Sequence, residues 1–160
     1  DHLGLWQGEG EGFGASIALV GDLSPGGDGS IVTAAPDYAS EAGRVYFFAV
    51  AETTWHTPGS GDPLTPVRAD QASLSLDGEV AGDKLGSALL AVEIAGEAAL
   101  LIGAPGAQGE HGGVYLWRSG DATLADSTAV FGTDGEGIGM AMALIGDVDG
   151  DGEQEIVGKE

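Results

Sequence analysis

The sequence contains no cysteine and no asparagine. The first absence removes disulfide scaffolds and thiolate metal sites, while leaving the compartment open. The second removes any N-glycosylation acceptor. Basic residues are scarce: five Lys plus Arg stand against 26 Asp plus Glu, for a formal net charge of −21. A surface of that sign repels phosphate and argues against nucleic acid as a partner. No apolar run approaches the ~20 residues of a membrane-spanning helix. The opening DHLGLW lacks the basic n-region of a signal peptide. Catalytic constellations are also missing. His2, His56 and His111 are scattered and fit no H-x-x-x-H or H-x-H spacing. There is no G-x-S-x-G nucleophile elbow. The glycine-rich Gly8–Gly14 has neither dinucleotide nor Walker spacing, carries no lysine, and is acidic where a phosphate would sit. The expectation is a protein without an active site in this chain.

What remains is distinctive. The 160 residues include 30 glycines and are 42% hydrophobic, so the acidic chain can still bury a core. Its apolar residues are mainly Ala, Leu, Val and Ile, in short runs broken by Gly. That pattern belongs to many short strands and predicts an all-β fold. Helical periodicity is weak. Gly86–Ala95 is rich enough in Ala and Leu to suggest a helix, but an internal repeat overrides that reading.

The repeat appears when three segments are aligned, from Gly10, Gly82 and Gly135. Phe13-Gly14, Leu85-Gly86 and Ile138-Gly139 correspond. So do Ile31-Val32, Leu101-Ile102 and Ile156-Val157. Two copies continue to Ala35-Pro36 and Ala104-Pro105, then to a glycine turn and a Val-Tyr strand. The first interval is longer, largely through a Pro-, Gly- and Thr-rich insertion, Ala51–Ala69. Each full copy predicts four strands. These are Ser16–Val20, Ser30–Ala34, Gly43–Phe48 and Ala72–Leu76 in the first copy. In the second they are Ser87–Val92, Ala99–Gly103, Gly113–Trp117 and Thr128–Phe131. Leu3–Trp6 reads as the same ending before the first copy, with Trp6, Leu76 and Phe131 in equivalent places. Trp6, Trp117 and Phe131 are expected to pack between repeats. Trp55-His56, in the insertion, reads as a packed or exposed loop aromatic sooner than a contact surface.

The third copy carries the clearest chemistry. After the apolar run Met140–Ile145 comes Asp147–Glu155, DVDGDGEQE. Asp147, Asp149 and Asp151 occupy loop positions 1, 3 and 5, and Gly152 takes the turn at position 6. Glu153 can offer its backbone carbonyl at position 7, and Glu155 closes the set at position 9. Calcium takes 6–8 oxygen ligands in flexible geometry, which suits carboxylates at every second residue. Carboxylates converging in one loop repel one another without a cation. An EF-hand is disfavoured, because position 12 is Gly158 and the flanks read as strands. The equivalent loops are poorer. The first copy offers Asp22, Ser24, Gly26, Asp28 and Ser30, a weak ligand array, and the second, Glu93–Glu97, is too short to keep the site.

These residues resemble the FG-GAP repeats that build the β-propeller of integrin α subunits. Phe13-Gly14 with Ala35-Pro36, Leu85-Gly86 through Gly103-Ala104-Pro105, and the Asp147–Glu155 loop carry the likeness, which spans nearly the whole chain. The loop is similar to the family's calcium motif DxDxDGxxD, with Glu155 in place of the last Asp. The resemblance implies a partial β-propeller of about two and a half to three four-stranded blades. Residues 7–76 would form blade one, with 51–69 inserted. Residues 77–131 would be blade two, 132–160 a truncated blade three, and 1–6 the end of a preceding blade. A closed propeller takes 4–8 blades, so the expectation is a piece of a longer secreted or surface protein, whose other blades would be partners of this piece. By resemblance the module is extracellular, structurally stabilised by Ca2+, and used in adhesion or ligand recognition. Its protein or glycan ligand would sit on the face away from the calcium loops, near Tyr38, Glu41, Gln108, Glu110 and His111. Two other functions fit the same residues: an accessory propeller of a secreted hydrolase whose catalytic domain lies outside this chain, and a structural spacer.

Overall fold

The computed structural model describes residues 6–7, 12–21, 23, 29–50, 67–133, 135, 137–151 and 154–159. The structure is all-β, built of several antiparallel sheets, none of them closed. Strands β2 (Ser16–Val20), β3 (Ser30–Ala35), β4 (Arg44–Ala49) and β6 (Leu74–Asp77) form a four-stranded antiparallel meander. A second meander follows from β7 (Leu89–Ile94), β8 (Glu97–Ala104), β9 (Gly113–Arg118) and β10 (Thr128–Phe131). Strands β11 (Ala141–Gly146) and β12 (Glu155–Lys159) make a two-stranded antiparallel pair. Short β1 (Trp6–Gln7) lies parallel to β5 (Val67–Arg68). Among the described residues no helix is long and apolar enough to cross a membrane.

Alternation along the strands decides how the sheets meet. In the first sheet Val32, Ala34, Val45 and Phe47 point one way, into a core shared with Leu100, Ile102, Ala104, Tyr115 and Trp117 of the second sheet. The Phe47 and Trp117 rings meet at 5.7 Å, and Trp117 is almost fully buried. The opposite face of the first sheet presents Ala35, Tyr46 and Phe48, covered by Val67 and Ala69. The far face of the second sheet places Ala99 and Leu101 against Met142 of the β11–β12 pair. Two sheets and a strand pair therefore stack in chain order. In the last pair Val157 is exposed on the face away from Met142, Leu144 and Ile156 are exposed on the face they share with it, and β2 exposes Ile17 and Leu19.

The repeat is visible in backbone bonds. Gly14 N–H donates to Ala34 O (2.9 Å) and Gly86 N–H to Gly103 O (2.8 Å). The aligned glycines Gly14, Gly86 and Gly139 have φ of 89°, 88° and 95°. A Cβ at Gly86 would collide with Ala34 Cβ, and one at Gly139 with the Gly113 carbonyl. Only glycine fits where one repeat leans on the last.

Between the second and third strands of each sheet the expected turn takes a left-handed form that the sequence did not reveal. Ala39, Ser40 and Glu41 in the first, and Gln108, Gly109 and Glu110 in the second, all have positive φ, from 50° to 74°. Left-handed backbone of this kind disfavours non-glycine residues. It aims carbonyls at the following repeat. Lys84 and Leu85 N–H donate to Glu41 O (2.8 Å) and Ala42 O (3.0 Å); Gly137 and Ile138 N–H donate to Glu110 O (3.2 Å) and His111 O (3.4 Å).

Three expectations need correction. Val67–Arg68 and the 3₁₀ turn Ala69–Gln71 are regular structure, not the end of the insertion. The turn matches Leu124–Asp126, so it belongs to the repeat. Phe131 is not the equivalent of Leu76. Leu76 pairs with Val45 and Val130 with Val114, whereas Phe131 pairs with Gly113, as Asp77 does with Arg44. Nor does Phe131 pack between sheets; it is partly exposed and meets Tyr115 of its own sheet edge-on at 5.8 Å. The helix-like stretch Gly86–Ala95 contains strand β7. Most of Leu3–Trp6, the insertion through residue 66, His2, Trp55, His56 and the side chain of Trp6 lie outside the described residues.

Candidate metal site

Two hairpins at one end of the stack, in the second sheet and in the β11–β12 pair, differ in how they turn. In the second sheet Ile94 pairs directly with Glu97, leaving the two-residue turn Ala95-Gly96 with φ of 55° and 80°. Both residues left-handed is the type I′ geometry that suits the strand twist. In the first sheet Asp22, Ser24, Gly26 and Asp28 lie outside the described residues, and Ser30 is a buried residue of β3.

In the β11–β12 hairpin the strands separate earlier. A register shift between Leu144 and Gly146 leaves Ile145 unpaired, and Gly146, at φ 79°, pairs with Glu155. This bulge releases the chain into the acidic loop and brings Glu155, the first residue of β12, opposite its start. Asp147, Asp149, Asp151 and Glu155 each offer a carboxylate oxygen within 4.8 Å of the others. Three of the four side chains also cap loop amides. Gly150 N–H donates to Asp147 Oδ1 (2.6 Å), Asp151 N–H to Asp149 Oδ1 (3.1 Å), and Val148 N–H to Glu155 Oε2 (2.5 Å). The loop is folded by its own carboxylates and stays open to solvent. Glu153 and Gly152 lie outside the described residues.

Four convergent carboxylates in water make a hard oxygen donor set. They suit a divalent cation such as calcium or magnesium and do not suit soft metals. His111, the histidine among the described residues, is remote from this set. Its Nδ1 accepts from Gly135 N–H at 2.8 Å.

The residues expected at the opposite face are held in contacts between repeats or within a sheet. Tyr38 lies under the Arg44 guanidinium at 4.0 Å, and Arg44 pairs with Asp77 (Nη2–Oδ2, 2.7 Å). That pairing, offset in part by burial, holds the arginine's pKa above its ordinary value. Glu41 faces Lys84 at 3.4 Å. Gln108 instead lines a pocket beside Glu79, Asp83 and Tyr115 that sequence reading missed. The available signal was an acidic residue two positions before each Phe13, Leu85 and Ile138, namely Glu11, Asp83 and Glu136.

No protein-family model matches the chain, and no curated protein matches it.

Proposed function

We propose that this chain is a non-catalytic, calcium-stabilised recognition module, a set of FG-GAP-like β-propeller blades from an extracellular or surface protein. The observation that carries the reading is the Asp147–Glu155 loop: four carboxylates gathered within 4.8 Å on a first-to-second-strand hairpin. The stacking of the four-stranded meanders in chain order supports the propeller geometry. Calcium would be held by Asp147, Asp149, Asp151 and Glu155, with the carbonyl of Glu153 completing the shell. Its role would be structural. It would neutralise the loop and tie the start of β12 to the end of β11. Adhesion or recognition of a protein or glycan is then the work of the loops at the other end.

The test is a pair of thermal melts. With affinity on the order of 10⁻⁴–10⁻³ M for an extracellular module, calcium at ten times Kd should add about 1.4 kcal/mol. In a domain of this size that raises Tm by roughly 3–5 °C. Asp149→Ala should abolish the response. Superimposed melts in calcium and in chelator would sink the reading.

A further inference from the structure

At the end of the stack away from the acidic loop, a pocket of about 320 Å³ opens between the second sheet and the segment that leads into it. Glu79 and Asp83, from the turn leading into the second sheet, form one wall. Ala107 and Gln108, from the second left-handed turn, form the other, and Tyr115 lies between them. Asp83 and Tyr115 are each only 7% exposed. The Asp83 carboxylate is fixed by Val80 N–H at 3.0 Å. The Tyr115 ring is fixed by Phe131, yet among the described residues no hydrogen bond reaches its hydroxyl, which opens on the pocket. Burial, then the charges of Glu79 and Asp83, push the Tyr115 phenol above its ordinary pKa.

The first sheet shows what this position accommodates. Register places Tyr38, Arg44 and Tyr46 where the second sheet has Ala107, Gly113 and Tyr115. There the chain's own cation lies beside both rings: the Arg44 guanidinium is 4.0 Å from the Tyr38 ring centre and 5.9 Å from that of Tyr46. In the second sheet the arginine is replaced by glycine, whose side-chain position the Phe131 ring closes, and the first tyrosine by alanine, which lines the pocket. Arg44, Arg68 and Lys84 all pair elsewhere, with Asp77, Asp70 and Glu41.

We propose that this pocket binds a primary alkylammonium group. An ammonium carries three donors and no acceptor. The walls supply acceptors to match: the Glu79 and Asp83 carboxylates, the Gln108 amide oxygen and the Tyr115 hydroxyl oxygen, with a tyrosine ring that attracts cations. Two carboxylates fall short of the 6–8 oxygens calcium requires, and an anion is repelled. The proposal is independent of the calcium reading, whose loop lies at the other end of the sheets.

The experiment is an amide-NMR titration of the full chain with butylammonium chloride at constant ionic strength. Saturable shifts at Glu79–Asp83 and Gln108–Gly109 are expected. Glu79→Gln, at an exposed position, should weaken binding roughly five- to tenfold by removing a charge-assisted hydrogen bond. Tyr115→Phe, which keeps the ring, should weaken it by a smaller factor. A capped lysine titrated alongside distinguishes the source. Equal affinity marks a site for free amines, and tighter binding a site for a lysine side chain. Shifts confined to Asp147–Glu155, equal shifts with neutral butanol, tighter binding of methylguanidinium, or no saturation would each overturn the proposal.

Discussion

Two glycines of the second sheet show how finely individual positions are specified. Gly82 and Gly86 have similar backbone, φ 93° and 88°. A methyl group at Gly82 would meet open space, whereas one at Gly86 would press into Ala34 and Val45 of the first sheet. Gly82→Ala therefore costs only the left-handed penalty, about 1–2 kcal/mol. Gly86→Ala adds the overpacking of a sheet interface, about a further 1–3 kcal/mol. Urea midpoints of the two variants should separate accordingly; equal losses would show that the first sheet does not rest on Gly86. Phe13-Gly14, Leu85-Gly86 and Ile138-Gly139 were legible in the sequence because glycine at a fixed offset marks a backbone no other residue fits. The left-handed turns were not legible. Ala39, Ser40, Gln108 and Glu110 are ordinary turn-compatible residues, and what holds them there is the repeat that follows, a long-range contact with no local signature.

At the level of single elements, the turn before each fourth strand is the clearest self-contained device. In the second sheet the Asp126 carboxylate accepts from Thr123 Oγ1 (2.8 Å), Thr123 N–H (2.9 Å) and Ala122 N–H (3.3 Å). The Thr123 hydroxyl first, then the backbone amides, hold its pKa below the ordinary 3.8. The unfolded chain therefore takes up the proton first as pH falls. The stabilisation is present above the ordinary value and is lost as pH drops through the lowered one. Asp126→Asn should be less stable than the parent at neutral pH, and the gap should close in strong acid. A gap that persists there would mean the side chain acts by packing, not charge. In the first sheet Gln71 Oε1 accepts Arg68 N–H at 2.8 Å, doing the same work without a charge. That difference in chemistry hid the equivalence from the alignment and let the insertion be drawn three residues too long. The convergence of Asp147, Asp149, Asp151 and Glu155 in one hairpin, by contrast, was readable, because carboxylates at alternate positions of a short loop encode their proximity in spacing. The shift of Phe131 from the place of Leu76 was unreadable, since one residue of register leaves no mark on composition.

On the scale of the whole molecule, a chain of formal charge −21 is held together by a small set of large side chains between sheets. Trp117 and Phe47 are the principal pair. Trp117→Ala should cost about 3–5 kcal/mol, a large share of the 5–15 kcal/mol typical of a domain. Because the core is shared, the loss should lower the unfolding midpoint of both sheets together. Residue-resolved denaturation in which β2–β6 keeps its midpoint would show the sheets to be independent. The all-β class and most strands were legible at this scale, because short apolar runs and glycine spacing are local. Which faces meet was not, since Val32 and Leu101 look alike in sequence yet point to different neighbours.

The left-handed turns give the array unlike ends. Each turn presents carbonyls forward, at Glu41 and Ala42 or at Glu110 and His111, and each following segment presents amides backward. In these backbone bonds the acceptor precedes the donor, so the joints have a direction, as those of a polymer of head-to-tail monomers do. A repeat can be added between two others without altering the chemistry of either joint, but it cannot be reversed. Such a molecule lengthens by whole units, and the unit copied runs from one backward-facing amide pair to the next forward-facing carbonyl pair.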